Sequence, residues 1–481
     1  MKQSVTTTLL VVLMSMTGVN AIAYNLSVKN SDGVTIYYDN HGTELEVTNI
    51  VGLFDCYNVW DYFDDHDYLW YSGNVVIPES VECNGKEYRV TSIGDEAFAY
   101  CSGLTSVTIP NSVTSIGSYA FEGCSGLTSV TIPNSVTSIG RYAFSSCGLT
   151  SISIPYSVTT IGDGAFGACS DLTSIQVESG NMNYDSRNNC NAIIDSNNQL
   201  ITGCKNTIIP NSVTSIGYSA FLGCTGLTSI NIPSNVTSID YYAFSECTGL
   251  TSINIPSKVT SIGSAAFQSC TGLTSIDIPS NVTSIGEHAF YQCTGLVYVS
   301  LHSNLTSIGK NAFGTCYSLT DVFCKAKSVP SADAYAFYRP ENITLHIPHN
   351  TENAYRSTQP WNKFGSYSTL YDSDFQASEK CSKPTISIVD GKFVFSCETP
   401  NVQYYYNVST PIGFSSKATV SGAWSISLPV TLNVFTFKNG YLPSEVATYV
   451  YPTLAGDVNN DGEVNVADHV KLSEIIMEQK K

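Results

Sequence analysis

The chain has 481 residues and a formal net charge of −18, with only 13% charged residues. Its surface is therefore polar, sparsely charged and acidic where it is charged, which excludes nucleic acid and anionic membranes as partners. Both are bound by setting Lys and Arg against phosphates, and this chain has 22 Lys and Arg against 40 Asp and Glu.

Residues 1–23 carry Lys2, an apolar run from Leu9 to Met14 and small residues at Ala21 and Ala23. That is the pattern of a secretory signal peptide, with cleavage expected after Ala23 or after Ala21. The mature protein is expected outside the cytoplasm, secreted or at the cell surface. No later apolar stretch reaches the length of a transmembrane span. Residues 24–89 alternate as strands, with a hairpin turn at Asn84-Gly85, and are expected to cap the segment that follows. Within them, residues 54–71 interleave Trp60, Tyr62, Phe63, Tyr68 and Trp70 with Asp55, Asp61, Asp64, Asp65 and Asp67. Such a mixture binds sugars or calcium, or packs as a cap loop.

From Val90 one phrase recurs, seen in Val113-Thr-Ser-Ile116-Gly117-Ser-Tyr-Ala120-Phe121-Glu-Gly-Cys124-Ser-Gly-Leu127-Thr-Ser-Val130-Thr-Ile132-Pro133. Its first apolar residue returns at Val136, Val158, Val213, Val236, Val259, Val282 and Leu305. The period is 23 residues, which means a mostly β solenoid, because so short a unit cannot bury its own apolar face and must stack on neighbours. Leu127-x-x-Val130-x-Ile132 reads as one strand and Val113-x-x-Ile116 as a second extended piece. Gly117 permits a turn, and Ala120-Phe121-x-x-Cys124 reads as a helical or 3₁₀ corner. Stacking puts the phenylalanines in one column. It puts Cys101, Cys124, Cys147, Cys169, Cys224, Cys247, Cys270, Cys293 and Cys316 in another, as buried free thiols that act as small hydrophobes. Cys381 with Cys397, and Cys190 with Cys204, are the better disulfide candidates.

These residues resemble the BspA-like leucine-rich repeat family over about residues 75–365. The resemblance rests on the joint spacing of the strand, the Ile-Gly turn and the Ala-Phe-x-x-Cys corner. It implies a leucine-rich repeat fold and a secreted or surface protein that adheres to host proteins, cells or other bacteria. The expected solenoid with its closing cap spans residues 90–371. Residues 178–208 interrupt it with an expected hairpin around Asp195, which resembles a long-repeat variant of the family and is expected to project from one face without breaking the stack.

Side chains flanking the inward residues of each strand point to one face. Ser106, Thr108, Ser129, Thr131, Ser229, Asn231, Ser252, Asn254, Ser275, Asp277 and Tyr298 lie there and form the candidate ligand-binding face for an extracellular protein or glycan. A merely soluble, β-favouring surface reads the same way.

Residues 381–453 alternate as short strands and are expected to form a small β-sandwich, similar to chitobiase-like or fibronectin-like modules that act as spacers. Residues 455–481 hold the sharpest chemical motif. Asp457, Asn459, Asp461 and Asp468 supply oxygens at loop positions 1, 3, 5 and 12, and Gly462 sits at position 6. Glu463 offers its carbonyl at position 7 and Asn465 lies at position 9, which is EF-hand logic for calcium. With the short helix expected after it, the loop resembles one half of a type I dockerin, whose partner is a cohesin. A complete dockerin has two such loops.

The seven histidines are scattered outside any nucleophile motif, and no Gly-x-Ser-x-Gly, His-Glu-x-x-His or Gly-Lys-Ser/Thr sequence occurs. The reading is a non-catalytic surface or secreted binding protein. The alternatives are an accessory component of polysaccharide degradation, attached through the dockerin-like tail, and a structural envelope protein.

Overall fold

The structure, a computed structural model, describes residues 26–30, 34–41, 44–48, 71–83, 85–371, 380–389, 392–409, 430–438 and 443–451. The signal-peptide pattern, most of the aromatic and acidic run at 54–71, and the calcium loop from Asp457 to Asp468 lie outside these residues. Chain contacts divide the molecule into two compact units, one up to Ser245 apart from Thr237–Ile239, and one from Glu246 onwards together with Thr237–Ile239.

In the first unit each Thr-Ser-Ile step is a two-residue strand laid in parallel register on the last. Ser92 pairs with Ser115, Ser115 with Ser138 and Ser138 with Thr160, and the isoleucines beside them follow suit. Gly117 is demanded by this stacking, since a Cβ there would stand 2.5 Å from the Asp95 amide nitrogen. At the corner, the amides of Phe98, Phe121 and Phe144 donate to the carbonyls of Ala120, Ala143 and Ala165, each at 2.7 Å. Their rings stack nearly parallel, 5.0 Å from Phe98 to Phe121, 5.0 Å to Phe144 and 5.5 Å to Phe166. Tyr71 lies against the head of the column, 4.6 Å from Phe98.

The corner, expected as helical or 3₁₀, is a run of turns in which i→i+3 bonds, Glu122 to Tyr119 at 3.0 Å and Cys124 to Phe121 at 3.2 Å, alternate with amides that leave for the next repeat. Tyr119 and Gly123 both take left-handed backbone, with φ of 58° and 71°, and the corner N–H groups of Tyr119, Phe121 and Gly123 turn to the next repeat. The Cys thiols complete the corner. Cys124, Cys147 and Cys169 donate to the carbonyls of Phe98, Phe121 and Phe144, each at 3.1 Å. A small residue with a weak S–H donor suits this position both as filler and as hydrogen-bond partner.

Pro110, Pro133 and Pro155 close tight turns, each accepting from the Val three residues later at 3.0 to 3.2 Å. Regular strand appears in the Leu-x-x-Val-x-Ile piece at Leu104–Thr108, Ser151–Ile154 and Ser174–Val177. In the repeat between the first two, the Thr128 carbonyl instead takes bonds from the Thr150 amide at 3.1 Å and from the Thr150 hydroxyl at 3.4 Å.

The interruption at 178–208 forms the hairpin expected around Asp195, with Ala192–Asp195 antiparallel to Gln199–Gly203. It does not merely project. Leu200 pairs in parallel with Ile216, and the Gly203 amide donates to Ala220 at 2.8 Å, the bond that a phenylalanine makes elsewhere. The hairpin is thus a turn of the solenoid with Ile193 and Leu200 fully buried. Gly203 thus takes a phenylalanine's place in the corner and accepts the Cys224 thiol at 3.8 Å, while farther along the corner the flanking turns meet directly, Ala168 donating to Leu222 at 2.7 Å.

The second unit repeats the scheme. Ser261–Ile262, Ser284–Ile285, Ser307–Ile308 and Ser331–Ala332 form its parallel strands. Its phenylalanine column runs Phe267, Phe290, Phe313 and Phe337 at 5.2 to 5.3 Å, and Trp361 and Phe364 lie against its end. Beyond it, Thr385–Val389 pairs with Lys392–Ser396, and Val430–Phe437 lies between Gln403–Ser409 and Ala447–Tyr451, all antiparallel. Leu432 and Val434 pack with Ile386, Phe395, Tyr404, Tyr406 and Tyr449, joining the hairpin to the three-stranded sheet.

The fourteen cysteines whose side chains are described are free thiols, and the nine of the repeat column are buried. The disulfides expected between Cys190 and Cys204 and between Cys381 and Cys397 are not formed. The sulfurs of the first pair point to different carbonyls, those of Ala192 and Asn191, and Cys397 donates to Ser382.

Candidate ligand-binding face

The predicted face residues meet three different fates. In the first unit, Thr108, Ser129, Thr131, Ser229 and Asn231 are exposed, and Ser106 is half-buried with its hydroxyl on Asn74 Oδ1 at 2.8 Å. In the second unit Ser252 and Asn254 are exposed, and Ser275 and Asp277 are half-buried. Tyr298 is fully buried, which removes it from any open face.

Tyr298 shares its register with Ser275, as the spacing requires, but the C-terminal sheet covers it. Its ring lies 4.7 Å from Phe435, and its hydroxyl donates to the Ser444 carbonyl at 2.9 Å. Val297, Phe323 and Leu370 join Phe435, Phe437 and Val446 in the same cluster. The segment expected as a spacer is therefore docked on the outward strand face of the last turns. At its border Lys380 Nζ stands 3.6 Å from Asp277 Oδ2.

Beneath this sheet lies a pair that spacing did not single out. His346 Nε2 and Asp321 Oδ1 are 2.8 Å apart and both residues are buried. Phe323 stacks on the imidazole at 4.1 Å, and His346 Nδ1 has no hydrogen-bond partner among the described residues. Tyr405 faces the pair, its phenol pushed up to about 12 by burial and by the Asp321 charge. Among the described residues no hydroxyl or thiol bonds the free nitrogen. Placing the repeats in columns puts the two residues on adjacent turns and would have found them.

An open groove of about 570 Å³ runs along the Thr-Ser-Ile strands of the first unit, over Ser115, Ser138 and Thr160 and beside Asp39, Glu46 and Asp95. Glu46 accepts from Ser92 at 3.1 Å, and Asp95 accepts from the Ser118 amide at 2.6 Å, so these carboxylates serve the stack. Among the described residues no group of His, Cys, Asp and Glu could hold a metal ion, and no helix is long and apolar enough to cross a membrane.

The likeness to known proteins follows the same columns. A family profile described as BspA type leucine-rich repeat region matches in six copies at residues 91–197, 199–320 and 263–358, more than half of the chain. Among solved structures, a leucine-rich cell surface protein from Faecalibacterium prausnitzii is 25% identical, with a TM-score of 0.42 over 62% of this chain and 94% of that one. The pneumococcal vaccine antigen PcpA is 18% identical, with a TM-score of 0.48 over 72% of this chain and 98% of that one. A leucine-rich repeat protein from Eubacterium ventriosum is 24% identical, with a TM-score of 0.48 over 66% and 87% of the two chains. No curated protein matches the chain. With the phenylalanine and cysteine columns in place and its repeats matched by that profile, this chain belongs to the BspA-type leucine-rich repeat family.

Proposed function

We propose that this chain is an exported, non-catalytic cell-surface protein that adheres to an extracellular protein or glycan through its exposed hydroxyl and amide rows. The observation that carries the reading is the exposure of Thr108, Ser129, Thr131, Ser229 and Asn231 on outward positions of turns of the first unit and, in the second unit, of Ser252 and Asn254. Each hydrogen bond from such a row contributes about 0.5–1.5 kcal/mol net, so affinity comes from many of them on an extended partner. Family membership and the signal-peptide pattern support export.

The test is surface plasmon resonance of the mature chain on matrix proteins, with binding to cultured epithelial cells beside it. Saturable binding that falls about tenfold or more in a Ser129→Lys, Thr131→Lys, Ser229→Lys, Asn231→Lys variant supports the reading. Binding untouched by those changes overturns the assignment to the rows. Absence of binding favours a structural envelope role.

The loop at Asp457, Asn459, Asp461, Glu463, Asn465 and Asp468 favours a second reading, calcium binding and attachment to a cohesin-like partner as an accessory component of polysaccharide degradation. Capture of the mature chain by an immobilised cohesin, reversed by a calcium chelator, would favour that reading over adhesion.

A further inference from the structure

Apart from the polar rows, the first unit carries a ladder of tyrosines at its corners. Tyr119 stacks on Tyr142 at 5.4 Å, Tyr142 meets Tyr218 edge-on at 6.5 Å, and Tyr218 meets Tyr242 edge-on at 5.8 Å. Tyr119, Tyr142 and Tyr242 take left-handed backbone, with φ of 58°, 53° and 56°. The same conformation recurs at the equivalent place of the other turns, at Glu96, Gly164, Ser219, Ala265, His288 and Asn311, so the repeat backbone sets the angle at which these rings leave the corner.

The exposed Arg141 sits in the middle. Its guanidinium lies 5.2 Å from the centres of both the Tyr142 and Tyr218 rings, and Nη2 donates to Tyr218 Oη at 2.8 Å. The Tyr142 hydroxyl donates to the same oxygen at 3.1 Å. Among the described residues of this strongly acidic chain, Arg141 forms no ion pair. Gly164 makes the cluster possible, because a Cβ there would stand 2.3 Å from Tyr142 Cε1 and push the ring off its path to Tyr218.

The cluster offers side chains only. The amides of Tyr119, Tyr142 and Ser219 already donate to the carbonyls of Arg141, Asp163 and Tyr241 on neighbouring turns, so a peptide cannot add here as a strand. What remains is a planar cation without a carboxylate partner, two linked phenolic hydroxyls and apolar ring surface. We propose that Arg141, Tyr142 and Tyr218 form a subsite for an acidic sugar, with the Tyr119 and Tyr242 rings extending it. The guanidinium pairs with the carboxylate in fork geometry, the phenols exchange hydrogen bonds with ring hydroxyls, and the aromatic rings pack on the sugar's C–H surface.

The test titrates the mature chain with methyl glucuronide and with methyl glucoside, which differ only in the carboxylate, read by saturation-transfer and chemical-shift NMR. The glucuronide is expected to bind at millimolar concentration and the glucoside about tenfold more weakly or worse. Arg141→Ala abolishes that preference while its thermal melt stays native, Arg141→Lys keeps part of it, and Tyr218→Phe weakens both sugars. The row variant with lysines at 129, 131, 229 and 231 leaves glucuronide binding in place, which separates this subsite from the polar face. Equal binding of the two sugars, no binding of either, or a preference that survives Arg141→Ala overturns the proposal. Arg141-dependent binding of a polyglutamate peptide without binding of the glucuronide overturns it in favour of a protein partner.

Discussion

Phe290 is the sharpest place to test whether the phenylalanine column holds the solenoid together. Its side chain is fully buried, with Phe267 and Phe313 stacked on its two faces at 5.2 Å each. Its amide donates to Ala312 at 2.8 Å, and its carbonyl takes the Cys316 thiol at 3.2 Å, so the backbone is pinned and cannot close over a missing ring. Phe290→Ala is therefore expected at the upper end of the range for core aromatics, about 3–5 kcal/mol. Urea unfolding followed by circular dichroism reads this as a fall in midpoint at constant slope. In a stack whose stability is carried by nearest-neighbour terms, the loss can also split one transition into two. Tyr241→Ala, at a half-exposed ring outside the column, serves as control and is expected to change stability by about 0.5 kcal/mol or less. A Phe290→Ala loss below about 1 kcal/mol would refute the argument that stacked rings and pinned carbonyls set the core.

Three further outcomes follow from the geometry. Deleting residues 381–451 uncovers Val297, Tyr298, Phe323 and Leu370, and the truncated chain is expected to self-associate or bind an apolar dye; a monomer with no added dye signal would contradict docking of the sheet. Burial pushes the thiols of Cys101, Cys169, Cys224, Cys270 and Cys316 from about 9 up to about 12. These groups stay neutral in the fold while the unfolded chain ionises, so stability is complete below pH 9 and falls as pH rises toward 12, by up to about 1.4 kcal/mol per pH unit for each thiol. Urea midpoints across that window check it, and an unchanged midpoint counts against the buried column. Finally, Asp457→Ala is expected to abolish the calcium heat of the mature chain in titration calorimetry, and an unaltered isotherm would remove the loop from consideration.

Much of this was legible because a fixed period turns sequence position into spatial position. Phe121 predicts Phe144 above it, and Cys124 predicts Cys147, without knowledge of a single coordinate. The same rule misled in part at the corner, where Ala-Phe-x-x-Cys has helical spacing but alternate amides turn outward to the next repeat, as the Phe121 bond to Ala143 demonstrates. It also missed the two polar constellations. Asp321 and His346 stand on neighbouring turns in adjacent outward columns, a relation visible only once strands are set side by side. Tyr142 and Tyr218 are 76 residues apart and meet because the hairpin at Ala192–Asp195 and Gln199–Gly203 enters the corner only at Gly203, and the rest of the corner is left to direct contact of the flanking turns, as Ala168 with Leu222.

The solenoid class, the two buried columns and the free thiols of the nine repeat cysteines were legible in the sequence, whereas the free state of Cys190, Cys204, Cys381 and Cys397 was not. Each of the legible features is a consequence of a 23-residue unit that can hide its apolar residues only against copies of itself. The tertiary structure alone decided which parts of the polar face stay open. Tyr298 and Thr131 both take outward places on the strand face, yet one lies under Phe435 and the other faces solvent. The difference comes from where the aromatic sheet of Gln403–Ser409, Val430–Phe437 and Ala447–Tyr451 finds complementary apolar surface, and a repeat period carries no information about contacts between segments that do not share it.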